Sequence, residues 1–111
     1  MNLIKVNEGT FYEAKDHYQN YALRKFGQPE GAKVLNVTVS EFLPGGIAMM
    51  SASDKERIYY VLRGTLTVHD EQGNTYNMEE GDTIYIPAGE KRDMLSTGET
   101  SSRILVVVAP V

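Results

Sequence analysis

The sequence predicts an all-β domain of the sandwich or barrel type, and three observations carry that prediction. Runs rich in valine, isoleucine, threonine and tyrosine recur at a spacing of roughly 8–12 residues. Turn residues separate them: Pro44-Gly45-Gly46, Gly73-Asn74, Gly81-Asp82 and Pro87-Ala88-Gly89. Residues 36–43, NVTVSEFL, alternate with the period of a strand, Val37 and Val39 pointing one way and Asn36, Thr38 and Ser40 the other.

Taken in order, residues 10–26, TFYEAKDHYQNYALRKF, are rich in aromatic and charged side chains. Two readings stay open. Asp16 is placed to cap a short helix running to about Lys25; the alternation is equally compatible with an extended arm. Gly27 to Lys33 reads as a loop, so that residues 1–33 form an N-terminal arm and residues 34–111 the barrel. Leu43 to Gly46 is a predicted turn. Residues 57–69, RIYYVLRGTLTVH, form one long β-rich run, with Gly64 marking a bulge or a barrel corner. Asp70 to Asn74 is a hairpin loop and Thr75 to Met78 its returning strand. Glu79 to Asp82 is a further turn, followed by a strand over 83–86 that Pro87-Ala88-Gly89 ends. Arg92 to Ser96 is ambiguous, residues 97–102 are loop, and Arg103 to Val108 is the last strand.

The 111 residues suit one domain, which at this size buries roughly 65% of its unfolded surface. No apolar run approaches the ~18 residues of a membrane span. The N-terminus has no basic start with a long apolar centre, so the expected location is cytoplasmic. There is no cysteine, hence no disulfide and no thiolate metal site. Fifteen acidic residues stand against 11 basic ones, for a net charge of −4, and the basic residues are scattered. A nucleic-acid surface needs a concentrated positive face, so none is expected. The G-x-S-x-G elbow, the P-loop and the dinucleotide fingerprint are all missing, and no cofactor is implied.

The segment GGIAMMSASDKERIYYVLRG, Gly45 to Gly64, together with GDTIYIPAG, Gly81 to Gly89, resembles the cupin superfamily. The superfamily's first motif runs glycine, five residues, His-x-His, three or four residues, glutamate, six residues, glycine. Gly45, Ser51, Ser53, Arg57 and Gly64 stand in that frame. The second motif runs glycine, five residues, Pro-x-Gly, two residues, histidine, and Gly81, Pro87, Gly89 and Arg92 stand in it. The resemblance covers about residues 34–110. It implies a jelly-roll barrel, and a homodimer joined by exchanged N-terminal strands or packed sheet faces.

All four metal-ligand positions depart from the frame. Serine hydroxyls are poor ligands and a guanidinium is a permanent cation, so no metal is expected. Rescue by His17 and His69 is weak, two histidines being too few. Three arrangements of the arginines stay open. Arg57 and Arg92 grip an anion such as a carboxylate or phosphate, with Ser51, Ser53 and Tyr59 adding hydrogen bonds. Or they pair with Glu41, Glu56 or Glu90 as a satisfied polar core. Or the register slips by one and Glu56 points inward in place of Arg57.

Met49, Met50 and Met94 read as cavity lining or as plain core. Tyr12, Tyr18 and Tyr21 suit a lid, a partner's sheet, or simple packing of the arm. Tyr85 is a candidate dimer contact. His17 and Tyr59 are the candidates for acid–base work, His17 because its pKa lies near neutrality. The expectation is a metal-independent cupin binding a small, anionic ligand through Ser51, Ser53, Arg57, Arg92 and Met94, with isomerase or lyase chemistry as its catalytic form. A non-catalytic sensor and a metalloenzyme with an atypical ligand set are the alternatives.

Overall fold

A computed structural model describes residues 1–110 of the chain. Nine strands follow one another: β1 Thr10–Tyr12, β2 His17–Phe26, β3 Asn36–Ser51, β4 Glu56–Arg63, β5 Leu66–Asp70, β6 Thr75–Met78, β7 Thr83–Ile86, β8 Arg92–Leu95 and β9 Ser102–Ala109. One short 3-10 turn, Gln28–Glu30, is the sole helical element among the described residues. No helix is long and apolar enough to cross a membrane.

The strands are hydrogen-bonded in the order β6-β5-β8-β3-β9-β4-β7, with β2 added along β3 and β1 along β2. This is a nearly closed jelly-roll barrel. β3 belongs to both of its layers. Its first half, Asn36 to Phe42, pairs with β9, and its second half, Ile47 to Ser51, pairs with β8. Leu43 to Gly46, expected as a turn between strands, is instead a bend inside this one 16-residue strand. The bend is held by Gly45 N donating to Ser96 O at 3.1 Å and Ser96 N donating to Gly46 O at 2.9 Å. A side chain at Gly46 would stand 2.6 Å from Gln19 O, so only glycine lets β2 pass this close.

The long run after Glu56 changes layers in the same way. β4 pairs with β7 and β9, whereas β5 pairs with β6 and β8. The break falls at Gly64, whose φ is +83° and where a Cβ would lie 2.8 Å from Ser101 O. The glycine is thus the corner at which the chain crosses from one sheet to the other.

Of the two readings for residues 10–26, the helix is overturned. His17–Phe26 is a strand paired antiparallel with β3 from Ala48 down to Val37. β3 offers a long row of backbone groups, and joining it satisfies every second amide of β2 in a way no isolated helix matches. Asp16, the expected cap, sits at φ +57° and bends the chain into the strand.

The core lies between the layers. Phe42, Val61, Leu66, Val68 and Ile104 are buried, with Ala48, Tyr59, Met78, Ile86 and Met94 around them. On β3 it is Thr38, Ser40 and Phe42 that face inward, while Val37 and Val39 lie on the outer face. Two hydroxyls therefore line the interior at positions where an apolar pair would be expected.

Candidate functional site

β4 sets the site by simple alternation. Arg57, Tyr59 and Val61 are buried and face the interior; Glu56, Ile58, Tyr60 and Leu62 are exposed. The slipped register is thereby excluded. Arg57 is opposite Val108 and Tyr59 opposite Val106 on β9, and Val106 is in turn opposite Thr38 on β3. Two valines form the floor between an arginine–tyrosine side and a hydroxyl side. β8 brings Arg92 and Met94 in from the other layer, and the start of β2 brings His17. Together they line a cavity of about 170 Å³ inside the barrel. Tyr12 from β1 closes one end, its Oη 3.2 Å from Thr38 Oγ1.

The two arginines are 5% and 6% exposed, yet among the described residues neither has a carboxylate within salt-bridge distance. Their expected partners are engaged elsewhere. Glu41 pairs with Arg63 and Arg103 on the outer face. Glu56 accepts from Tyr85 Oη at 2.6 Å, and Glu90 offers Arg57 only its backbone carbonyl, at 2.9 Å from Nη2. The satisfied ionic core is therefore not what the chain builds. Taking a guanidinium out of water without a counter-charge costs several kcal/mol.

The two guanidiniums are nonetheless held differently. Arg92 donates from Nε to Tyr59 Oη at 3.0 Å and from Nη1 to Met49 O at 3.0 Å and Ser51 Oγ at 3.3 Å. Its Cζ also lies 5.9 Å from the Tyr59 ring centre, within cation–π range. Arg57 has one contact, to Glu90 O, and its buried Nε has no hydrogen-bond partner. A buried donor left unmatched is uncommon and calls for a cause.

His17 lies with its ring stacked on Phe42, centroids 5.9 Å apart at 27°. Its Nδ1 is 2.7 Å from Lys15 O. Burial pushes the imidazole below its ordinary value of 6.5; the Lys15 carbonyl opposes this, and the nearby Arg92 cation adds to it. The ring is neutral at neutral pH. A carbonyl only accepts, so Nδ1 carries the hydrogen and Nε2 the lone pair. Two non-glycine residues at positive φ, Asp16 at +57° and Gln19 at +50°, bracket this histidine. Strain of that kind persists where surrounding structure enforces it and concentrates at functional sites.

Of the residues singled out in the sequence, His17, Arg57, Tyr59, Arg92 and Met94 share the cavity wall. Ser51 reaches it only through Arg92. Ser53 does not: its Oγ accepts from Lys55 N at 3.1 Å and its carbonyl from Gly89 N at 2.7 Å, tying two rim loops together. Met49 and Met50 are exposed, as are Tyr18 and Tyr21. His69 stands on the outer face with Asp93 Oδ1 2.6 Å from its Nδ1, so the two histidines do not converge. Sequence reasoning missed Ser40, whose Oγ accepts from Asn20 Nδ2 at 2.7 Å. The period-two pattern placed it opposite the valines, but which face was interior could not be read from one strand.

The donor set does not fit a metal cation. The four frame positions carry two hydroxyls and two guanidiniums, and the unmatched atom at Arg57 is a hydrogen-bond donor that calls for an acceptor. Among the described residues no group of three His, Cys, Asp or Glu side chains is placed to hold an ion.

The strand order β6-β5-β8-β3-β9-β4-β7, with β3 bent between the two layers, is that of a jelly-roll barrel, and the comparisons agree. The sequence profile of the cupin domain matches residues 38–108, and the chain belongs to that family. It is 27% identical to a β-D-galactosidase of Mycobacterium tuberculosis over 110 residues, 98% of this chain and 94% of that one. Its fold is similar to that of the polyketide cyclase RemF from Streptomyces resistomycificus, with a TM-score of 0.88, 23% identity, and 98% and 79% of the two chains covered. It is also similar to a predicted oxalate decarboxylase from Thermotoga maritima, with a TM-score of 0.84, 19% identity, and 99% and 100% covered.

Proposed function

We propose that this cupin binds a small anion inside its barrel without a metal, and that His17 and Tyr59 supply acid–base chemistry to it, as in an isomerase or lyase. One observation carries the reading: Arg57 is a buried cation with no counter-ion among the described residues and an unmatched Nε–H. A carboxylate or phosphate oxygen supplies both missing terms at once. His17 Nε2 is a neutral base, and Tyr59, whose oxygen already accepts from Arg92, has its own hydrogen left to give.

Glycoside cleavage, suggested by the name of the Mycobacterium tuberculosis relative, has less support. Its usual machinery is a pair of carboxylates flanking the bond. No aspartate or glutamate lines the cavity of this chain.

A panel of small carboxylates, inorganic phosphate and matched amines, titrated by calorimetry, tests the reading. Carboxylates or phosphate bind and amines do not; Arg57→Met weakens anion binding by about tenfold or more. Binding indifferent to Arg57 would remove the anion site. A stoichiometric transition metal in protein purified without chelator would end the metal-independent reading. Binding without turnover, unaffected by His17→Gln, would leave a sensor.

A further inference from the structure

Resting on that anion site, we propose that the ligand is a short 2-oxo carboxylate. Its carboxylate seats on Arg57, its carbonyl oxygen takes the Tyr59 hydroxyl, and the carbon beyond the carbonyl meets His17.

One cavity wall carries hydrogens without protein acceptors and a basic nitrogen without a donor. A guanidinium only donates, so the 3.0 Å contact from Arg92 Nε fixes Tyr59 Oη as acceptor and leaves its hydrogen without a protein partner. Asn20 Nδ2 donates to Ser40 Oγ at 2.7 Å, which frees the Ser40 hydrogen in the same way; the amide's orientation is set by its second donation, to Glu41 O at 3.1 Å. Arg57 Nε–H is unmatched. On the same wall His17 Nε2 carries the nitrogen lone pair, the acceptor basic enough to take a proton. The complementary molecule carries several oxygen acceptors and one hydrogen that a base can take.

Position narrows the class. Arg57 and Tyr59 are two residues apart on one face of β4, so their Cα atoms stand about 7 Å apart and both side chains enter the same cavity. An anionic oxygen pair next to a second oxygen answers that spacing. Arg92 holds Tyr59, Met49 and Ser51 through Nε and Nη1, which leaves its Nη2 as the donor a phosphate would need beside Arg57, so phosphate is the direct competitor in the test. The rest of the wall is apolar, with Val106, Val108, Phe42 and Met94. A cavity of about 170 Å³ equals five or six waters at ~30 Å³ each, which is roughly a four- or five-carbon acid.

The chemistry follows from the same four groups. His17 Nε2 takes a proton from C3 of the bound acid. The C–H pair becomes the C2–C3 double bond, and the carbonyl π pair moves onto oxygen, where the Tyr59 hydrogen holds it. Arg92 stands behind Tyr59 and opposes the growing charge. Return of the proton from His17 to C3 restores the oxo acid, so no oxidant, reductant or further reactant is needed.

The probes are 2-oxobutanoate, butanoate and inorganic phosphate, used with the full chain. Calorimetry is expected to give 2-oxobutanoate about tenfold tighter binding than butanoate, the worth of one hydrogen bond to the carbonyl, and Tyr59→Phe to erase that preference. In D2O, proton NMR is expected to show protein-dependent loss of the C3 hydrogens of 2-oxobutanoate. His17→Gln slows that loss about a hundredfold while leaving affinity within a few-fold. Equal affinity for the two acids, tighter binding of phosphate, or exchange no faster than in buffer would overturn this inference while leaving the anion site standing. Failure of all three probes to bind would overturn the anion site itself. The comparison of acids on the unaltered protein decides the matter even if a variant fails to fold.

Discussion

Arg57 and Arg92 occupy equivalent-looking places in the motif frame, yet their surroundings assign them opposite roles. Arg92 is a structural cation with three hydrogen bonds to the protein, whereas Arg57 has one and an unmatched Nε. A buried cation without a counter-charge carries its desolvation cost unrepaid, so an apolar chain of similar length in its place is neutral or stabilising. Arg57→Met is therefore expected to raise the melting temperature of the ligand-free protein while weakening anion binding by about tenfold or more. Arg92→Met, which strands Tyr59 and the Met49 carbonyl, is expected to lower stability by about 1–3 kcal/mol. Denaturant titration of both variants checks the contrast, and equal losses would mean that Arg57 is also structural. His17 gives a pH signature. Its folded-state pKa is depressed by burial, so protons bind the unfolded chain more readily. The stability tied to its neutral form is fully present above its ordinary 6.5 and is lost as pH falls through the folded value. Melting curves from pH 8 downward, compared between wild type and His17→Gln, should show the wild type losing stability faster in that window.

At the scale of elements, the two bends decide the architecture. β3 turns at Leu43–Gly46 and the β4–β5 run turns at Gly64, and each hands the chain from one sheet to the other. Gly64→Ala forces a side chain into left-handed backbone and against Ser101 O. A loss of about 2 kcal/mol or more is expected from the strained backbone and the clash, read by chemical denaturation. A loss under half of that would mean that the corner relaxes. The glycine at this corner was legible because it interrupts a β-rich run. The β3 bend was legible only as a turn, since Pro-Gly-Gly reads the same whether the strand ends or merely folds over. The nature of residues 17–26 was not legible at all. Their local preferences fit a helix or a strand, and the partner that settles it, β3, begins ten residues after β2 ends.

At the scale of the whole molecule, the outer face of the β2-β3-β9-β4-β7 sheet is strongly apolar. Ile58, Tyr60, Leu62, Tyr85 and Tyr21 are exposed there, and a groove of about 380 Å³ runs beside Leu62, Leu23 and Phe11. We propose a second copy of the chain as its occupant. Glu41 holds both Arg63 and Arg103 at the edge of the face, which leaves its centre to the apolar side chains. Apolar patches of this kind on a small domain commonly mark interfaces. Leu62→Glu is expected to convert a dimer into a monomer in light scattering coupled to gel filtration; a wild-type monomer at high concentration would overturn the proposal.

The sequence by itself determined the barrel and the removal of the family's metal ligands. Both are written in local terms: glycines and a proline that tight backbone requires, and side chains whose chemistry rejects a cation. The inward direction of Arg57, the engagement of Arg92, and the meeting of His17 with both were decided only in three dimensions. Those facts depend on which face of each strand turns inward and on which distant strands pair. Inward direction is a property of two packed layers, and no single alternating run carries it.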